Sequence, residues 1–187
     1  MENTFLRQAL NHSLVYATIS ILISVLIWIT NLFSILGLMG NAVIGILNLV
    51  IMYSALLIFT KQFRNNYLDG YMDFGKAYLY GLIIVVGSSF LVMFYNFIFF
   101  SYIDPGYTEK MLMVMQEKMT IFLQNKGLSE DKIDDVLAKF KDVPIQSPFQ
   151  TAKSGFVQSV ILGAILALIS AAFAKKSNNT DPFKDVQ

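Results

Sequence analysis

Four long apolar stretches alternate with shorter polar ones along the chain: Leu14–Leu36, Leu38–Phe59, Ala77–Phe100 and Gly155–Ala174. Each reaches the roughly 20 residues that a helix needs to cross a hydrocarbon core of about 30 Å. Together they hold about 89 residues without one Asp, Glu, Lys, Arg or His, where the chain's average frequency would place about 13. A charge at mid-bilayer costs at least ~2.5–3.5 kcal/mol on insertion scales, which accounts for the void. Four core helices of a soluble domain this small would carry charged outer faces. The pattern therefore predicts an all-α membrane protein with four transmembrane helices.

The first stretch is too long for the apolar core of a signal peptide. It lacks a small-x-small cleavage site and has only Arg7 as a basic flank, so it reads as a retained span. Leu36-Gly37-Leu38-Met39-Gly40 then predicts a tight, uncharged hairpin into the second span. Between spans two and three, Asp69-Gly70 is a turn signal and Asp73 a candidate cap for the third helix.

The long polar segment, about 104–146, has its own helical pattern. Asp104-Pro105-Gly106 ends span three. Thr108 is placed to cap a helix running to about Lys126, with Gly127 as its stop. Met111, Leu112, Val114, Met115, Met119, Ile121, Phe122 and Leu123 share one broad face of that helix. Ser129 opens a second helix, with Glu130 and Asp131 in its first turn and Lys139 and Lys141 in its last. Its stripe is Ile133, Val136, Leu137 and Phe140, and Pro144 stops it. The expected product is a short helical hairpin. Ser147-Pro148-Phe149-Gln150 then reads as a capping box with proline at the first helical position, opening the fourth helix.

Basic residues near span ends set orientation. Arg7, Lys61, Arg64, Lys76, Lys175 and Lys176 fall on one side of a four-span chain. On the other side lie the uncharged 37–40 turn and the 101–154 segment, whose seven lysines are diluted by eight acidic residues. This bias places both termini in the cytoplasm and the helical hairpin outside it. Tyr67, Tyr71, Tyr78 and Tyr80 at one end of span three, and Tyr102 and Tyr107 at the other, suit headgroup depth. Residues 1–176 read as a single integral membrane domain, and 177–187 as a polar tail.

Composition narrows the chemistry. The 187 residues carry a net charge of only +1, which gives no global basic field for nucleic acid. Without cysteine there is no disulfide, thiolate metal site or Cys nucleophile. One histidine, His12, cannot build a His-rich metal site and reads as a bystander. Met111, Met113, Met115 and Met119 could offer thioethers to Cu(I), but on a helix Met113 points away from Met111 and Met115. No P-loop, dinucleotide fingerprint, HExxH or nucleophile elbow is present. Neither catalytic residues nor a cofactor or metal are expected.

Two groups in the spans carry structural meaning. Gly155, Ser159, Gly163, Ala167 and Ala171 recur every four residues, so their small side chains form one groove for close helix packing. That groove suits a helix of the same chain or of a second copy. Asn48 and Asn96 lie in spans, where buried amides either bond between helices or line a polar pocket.

Gly70-Tyr71-Met72-Asp73-Phe74-Gly75-Lys76-Ala77 precedes span three, and Tyr95 through Asp104-Pro105-Gly106-Tyr107 follows it. With the acidic helix Ser129–Phe140 and the small-residue final span, these residues resemble an uncharacterised bacterial family of four-span inner-membrane proteins, a domain-of-unknown-function family common in Bacteroidota. The resemblance covers roughly residues 8–176. It implies a bacterial inner-membrane location and brings no assigned activity. The reading for function is a non-enzymatic structural or accessory protein, partnered by membrane lipid and by a second copy or another membrane protein. The alternative is a small transporter, channel or lipid-binding protein.

Overall fold

The computed structural model describes residues 2–141 and 146–176. The helices are α1 (Glu2–Ile29), α2 (Leu32–Ile35), α3 (Leu38–Tyr67), α4 (Phe74–Ile98, continued by a π turn over Phe99–Ile103), α5 (Tyr107–Asn125), α6 (Glu130–Lys141) and α7 (Pro148–Ala174). No strand forms among the described residues. The segments Asn3–Ile29, Leu38–Tyr67, Phe74–Ile103 and Pro148–Ala174, each of 27 to 30 residues, are long and apolar enough to cross a membrane. The protein is an all-α, multi-pass membrane protein. At 1.5 Å per residue these helices run to about 40–45 Å, longer than the hydrocarbon core. Their ends can therefore carry Arg7, Lys61, Arg64 and Lys76 beyond it.

The chain forms two compact units. The first draws on Met1–Thr18, Leu49–Phe90 and Gln158–Gln187. Leu56, Phe63, Tyr80, Ile84 and Val85 are almost fully buried in its core. Small residues let its helices approach. Ala9, Ser13 and Ala17 recur every four residues along α1, and all three are buried. A Cβ on Gly87 of α4 would lie 2.7 Å from Ser13 Oγ. A Cβ on Gly81 would lie 3.2 Å from the Ala167 Cβ of α7.

The connection from α3 to α4 turns as expected. Asp69 (φ 48°) and Gly70 (φ 82°) both adopt left-handed backbone, and Tyr71 N–H donates to the Leu68 carbonyl at 2.9 Å. Asp73 caps α4 by accepting from Lys76 N–H at 2.9 Å. Met72 and Lys176 exchange two backbone hydrogen bonds of 2.9 Å, which tie this loop to the residues after α7. Arg64 Nη1 donates to the Ala174 carbonyl at 2.7 Å, satisfying one of the open acceptors at the end of α7.

The second unit draws on Ile19–Asn48 and Leu91–Val157. Here the turn after α1 departs from expectation. Asn31 takes left-handed backbone (φ 51°), and the chain reverses through α2 before Leu38. Asparagine tolerates that region better than most side chains. Asn41 Nδ2 fastens the turn by donating to the Phe33 carbonyl at 3.1 Å. The bend thus starts at Asn31 rather than at Gly37, and Gly40 lies inside α3.

Both α5 and α6 form, with Gly127 (φ 76°) closing α5. Gly127 N–H donates to the Gln124 carbonyl and Leu128 N–H to the Leu123 carbonyl, the paired bonds of a Schellman stop. Gly106, not Thr108, precedes the first helical residue. Ile133 of α6 is buried, while no residue of α5 is. Ser147 and Gln150 exchange backbone-to-side-chain bonds of 3.2 and 3.3 Å, the expected capping box of α7. The expected stop at Pro144 and the 177–187 tail lie outside the described residues.

Candidate functional site

A groove of about 740 Å³ opens in the first unit, between the beginnings of α1 and α4 and the end of α3. Asn3, Thr4, Phe5 and Leu6 of α1 line it, with Phe63 and Tyr67 of α3, Leu68 just beyond, and Lys76, Leu79 and Ile83 of α4. Its volume falls within the roughly 300–1,000 Å³ typical of small-molecule sites. Stacked rings make its wall rigid. Phe63 lies against Tyr80 (4.5 Å between centroids, 22° between planes) and Tyr67 (5.3 Å, 24°). Phe5 meets Phe63 edge-on at 5.4 Å and Tyr80 at 5.2 Å. Among the described residues, Lys76 is the one charged side chain of the lining, and it is largely exposed.

Beneath this aromatic wall sits His12. Its Nδ1 shares a 2.7 Å hydrogen bond with the Tyr80 hydroxyl, and its ring stacks flat on Phe59 at 4.4 Å. Tyr80 is completely buried, and its hydroxyl needs a partner there. His12 supplies one, which corrects its reading as a bystander. Tyr80 is likewise a core side chain rather than a headgroup anchor.

In the second unit, polar contacts converge on Asp104 at the end of span three. Lys110 Nζ donates to its Oδ1 at 2.9 Å and Trp28 Nε1 to its Oδ2 at 3.3 Å. The Lys110 bond holds the Asp104 carboxyl below the usual carboxylate range, helped by the Trp28 bond and opposed by burial. Rings close around it, Phe99 meeting Trp28 at 5.6 Å and Tyr107 at 5.3 Å. Burial raises the Tyr107 phenol above its ordinary value, and Asp104 and Tyr95 add to the rise. The Tyr95 hydroxyl is buried with no hydrogen-bond partner among the described residues.

The small-residue stripe of α7 divides along its length. Gly163, Ala167 and Ala171 are buried, while Gly155 and Ser159 are half-buried. A Cβ on Gly163 would lie 2.5 Å from Val85 Cγ1 and collide with Met52 Cε. Nothing lies within 4 Å of the same position at Gly155. Asn48 is exposed and returns its amide to the Ile44 carbonyl at 3.0 Å. Asn96 is half-buried, and neither asparagine lines the groove. Along the helical α5, Met113 and Met115 are exposed, and Met111 and Met119 are half-buried.

Sequence reasoning missed the groove, the His12–Tyr80 pair and the α1 stripe. Only the stripe had a readable signal, the four-residue spacing of Ala9, Ser13 and Ala17. No curated protein and no solved structure matches the chain. A family model described as "Protein of unknown function (DUF4199)" matches residues 11–176, from within α1 to the Met72–Lys176 bridge. The match takes in most or all of each of the four helices long enough to cross a membrane, with α5 and α6 between the last two, so the chain belongs to the DUF4199 family.

Proposed function

We propose that this protein is a non-enzymatic structural or accessory component of the bacterial inner membrane, with both termini in the cytoplasm. The observation that carries the reading is the packing at Gly163, where an added Cβ would collide with Val85 and Met52. Around it the core of the first unit is packed with apolar side chains, Leu56, Ile84 and Val85 among them. Two of its buried hydroxyls turn back onto their own helices, Ser13 to the Ala9 carbonyl and Ser88 to the Ile84 carbonyl, and Ser13 also reaches the Ile83 carbonyl of α4 at 3.4 Å. Such a filled interior suits a rigid body that other components pack against better than it suits a hydrated path. The half-buried Ser159 and open Gly155 at the other end of the α7 stripe leave room for a second helix to approach.

Native mass spectrometry of the protein released gently from its own membrane tests the reading. A stoichiometric protein partner or a defined homo-oligomer is the expected result. Substrate turnover by the purified protein, or solute flux through it in liposomes, would overturn it. Orientation is tested separately, because the chain has no native cysteine to interfere. In intact spheroplasts an impermeant thiol reagent should label Ser129→Cys and spare Asn66→Cys. The reverse pattern inverts the topology.

A further inference from the structure

Among the described residues, the lining of the groove is mostly apolar, with Asn3 and Thr4 at the start of α1 and Lys76 as its one cation. Leu6, Leu79 and Ile83 present aliphatic surface beside the Phe63 and Tyr67 rings, and Lys76 stands among them. We propose that the groove holds one acyl chain of an anionic phospholipid, with the lipid phosphate at Lys76.

The surroundings specify the occupant. The three helices that line the groove are long and apolar enough to cross a membrane, so phospholipid is the solvent at its mouth. Basic pockets between such helices take anionic headgroups. Two other cations at these helix ends are already engaged. Arg64 is bonded to the Ala174 carbonyl, and Lys176 lies over the Tyr71 ring at 5.4 Å. Among the described residues, Lys76 has a loose contact with Asp73, at 3.8 Å, and both side chains are mostly exposed. An exposed pair at that distance is weak, so a phosphate competes for the ammonium with little loss.

The same physics says what sets the selectivity. Lipid tails are as apolar as leucine, so a chain gains no hydrophobic free energy by leaving the bilayer for the groove. It gains contacts with a preformed ring wall, which any lipid of that chain length would gain equally. Discrimination falls to Lys76. One lysine near an anionic surface contributes about 1 kcal/mol, which corresponds to about fivefold in preference. The inference goes beyond the accessory role and holds with or without a protein partner.

The test reconstitutes the full chain in vesicles of dioleoyl phosphatidylglycerol and dioleoyl phosphatidylcholine in equal amounts. The protein is then extracted in mild detergent and weighed by native mass spectrometry. The expected result is one retained phosphatidylglycerol per chain, in preference to phosphatidylcholine. Lys76→Gln should cut that preference about fivefold. Asp73→Asn should raise it, since asparagine still caps α4 while the competing carboxylate is gone. Leu79→Trp should fill the groove and remove retention of both lipids, with circular dichroism reporting unchanged helix content. Equal retention of the two lipids, a preference indifferent to Lys76→Gln, or a lipid-free dimer that occupies the groove with a second copy would each overturn the proposal.

Discussion

Two alanine substitutions on one helix face should act in opposite directions. Gly163 and Gly155 lie two repeats apart on the α7 stripe, and both are glycines inside a helix, where replacement by alanine is intrinsically favourable by roughly 0.5–1 kcal/mol. Their surroundings differ. At Gly155 the new methyl meets nothing within 4 Å, so that gain should appear almost undiminished. At Gly163 it would stand 2.5 Å from one Val85 methyl and 2.9 Å from the other. Contact between carbons is comfortable near 3.5–4.0 Å, so the helices must separate by about 1 Å or the valine must leave its rotamer. Met52 can swing away because its thioether is flexible. Val85 cannot, since it is β-branched and only 1 % exposed. Overpacking of this kind costs about 1–3 kcal/mol, which exceeds the propensity gain. Gly163→Ala should therefore be net destabilising by about 1–2 kcal/mol, and Gly155→Ala neutral to stabilising. Denaturant unfolding in mixed micelles, followed by circular dichroism, reads the sign of each. If both variants shift the midpoint the same way, the α7 stripe is not divided as described.

Arg64→Ala should destabilise the protein by roughly 1.5–3 kcal/mol, the usual worth of a hydrogen bond to a charged group, because it uncaps the Ala174 carbonyl. Arg64→Lys should recover only part of the loss, and unfolding in the same micelles measures both. Tyr80→Phe should cost about 1–3 kcal/mol by leaving His12 without its hydroxyl partner; a neutral outcome in the same unfolding assay would mean the pair is incidental. Asp104 gives a pH dependence with a definite sign. Its folded carboxyl titrates below its unfolded one, so its stabilising contribution is fully present at neutral pH and is lost as pH falls through the depressed value. Trp28, the sole tryptophan, donates to that carboxylate, so its emission should shift over the same acid range. Lys110→Gln should move the transition upward toward the ordinary carboxylate value, and an unmoved midpoint would remove Lys110 as its cause.

What was legible in the sequence divides by distance along the chain. The spans were legible because the cost of a buried charge acts residue by residue and leaves a gap in the composition. Local devices were legible for a similar reason. The Ser147–Gln150 capping box, the Asp73 cap, the Asp69-Gly70 turn and the Gly127 stop each involve residues within five positions of one another. The turn at Asn31 is local too, yet it was misplaced, because the nearby Gly37 and Gly40 carry a stronger generic turn signal than an asparagine in an apolar run. The α1 stripe carried the same spacing as the α7 stripe. It was overlooked because Gln8, Asn11 and His12 interrupt the apolar pattern, so that Ala9 and Ser13 fell outside the expected span.

The contacts that build the candidate site had no signal of this kind. His12 meets Tyr80 across 68 residues, and Arg64 meets Ala174 across 110. Both follow from which helices become neighbours, and a helix that is apolar all round does not announce its neighbour. In a soluble helix the polar face marks the outside and the apolar face the inside. In a membrane both faces are apolar, so Leu6, Leu79 and Ile83 look the same in sequence whether they meet bulk lipid, a packed helix or a groove. Only departures from that uniformity carry information about position. Small residues at a four-residue period mark close approach, and a lone cation at a span end marks the headgroup level. The groove joins the second kind of mark to an aromatic wall that three separate helix ends must assemble, which is why Lys76 and Tyr67 could be placed at a span end from the sequence while their meeting with Phe5 and Leu6 could not.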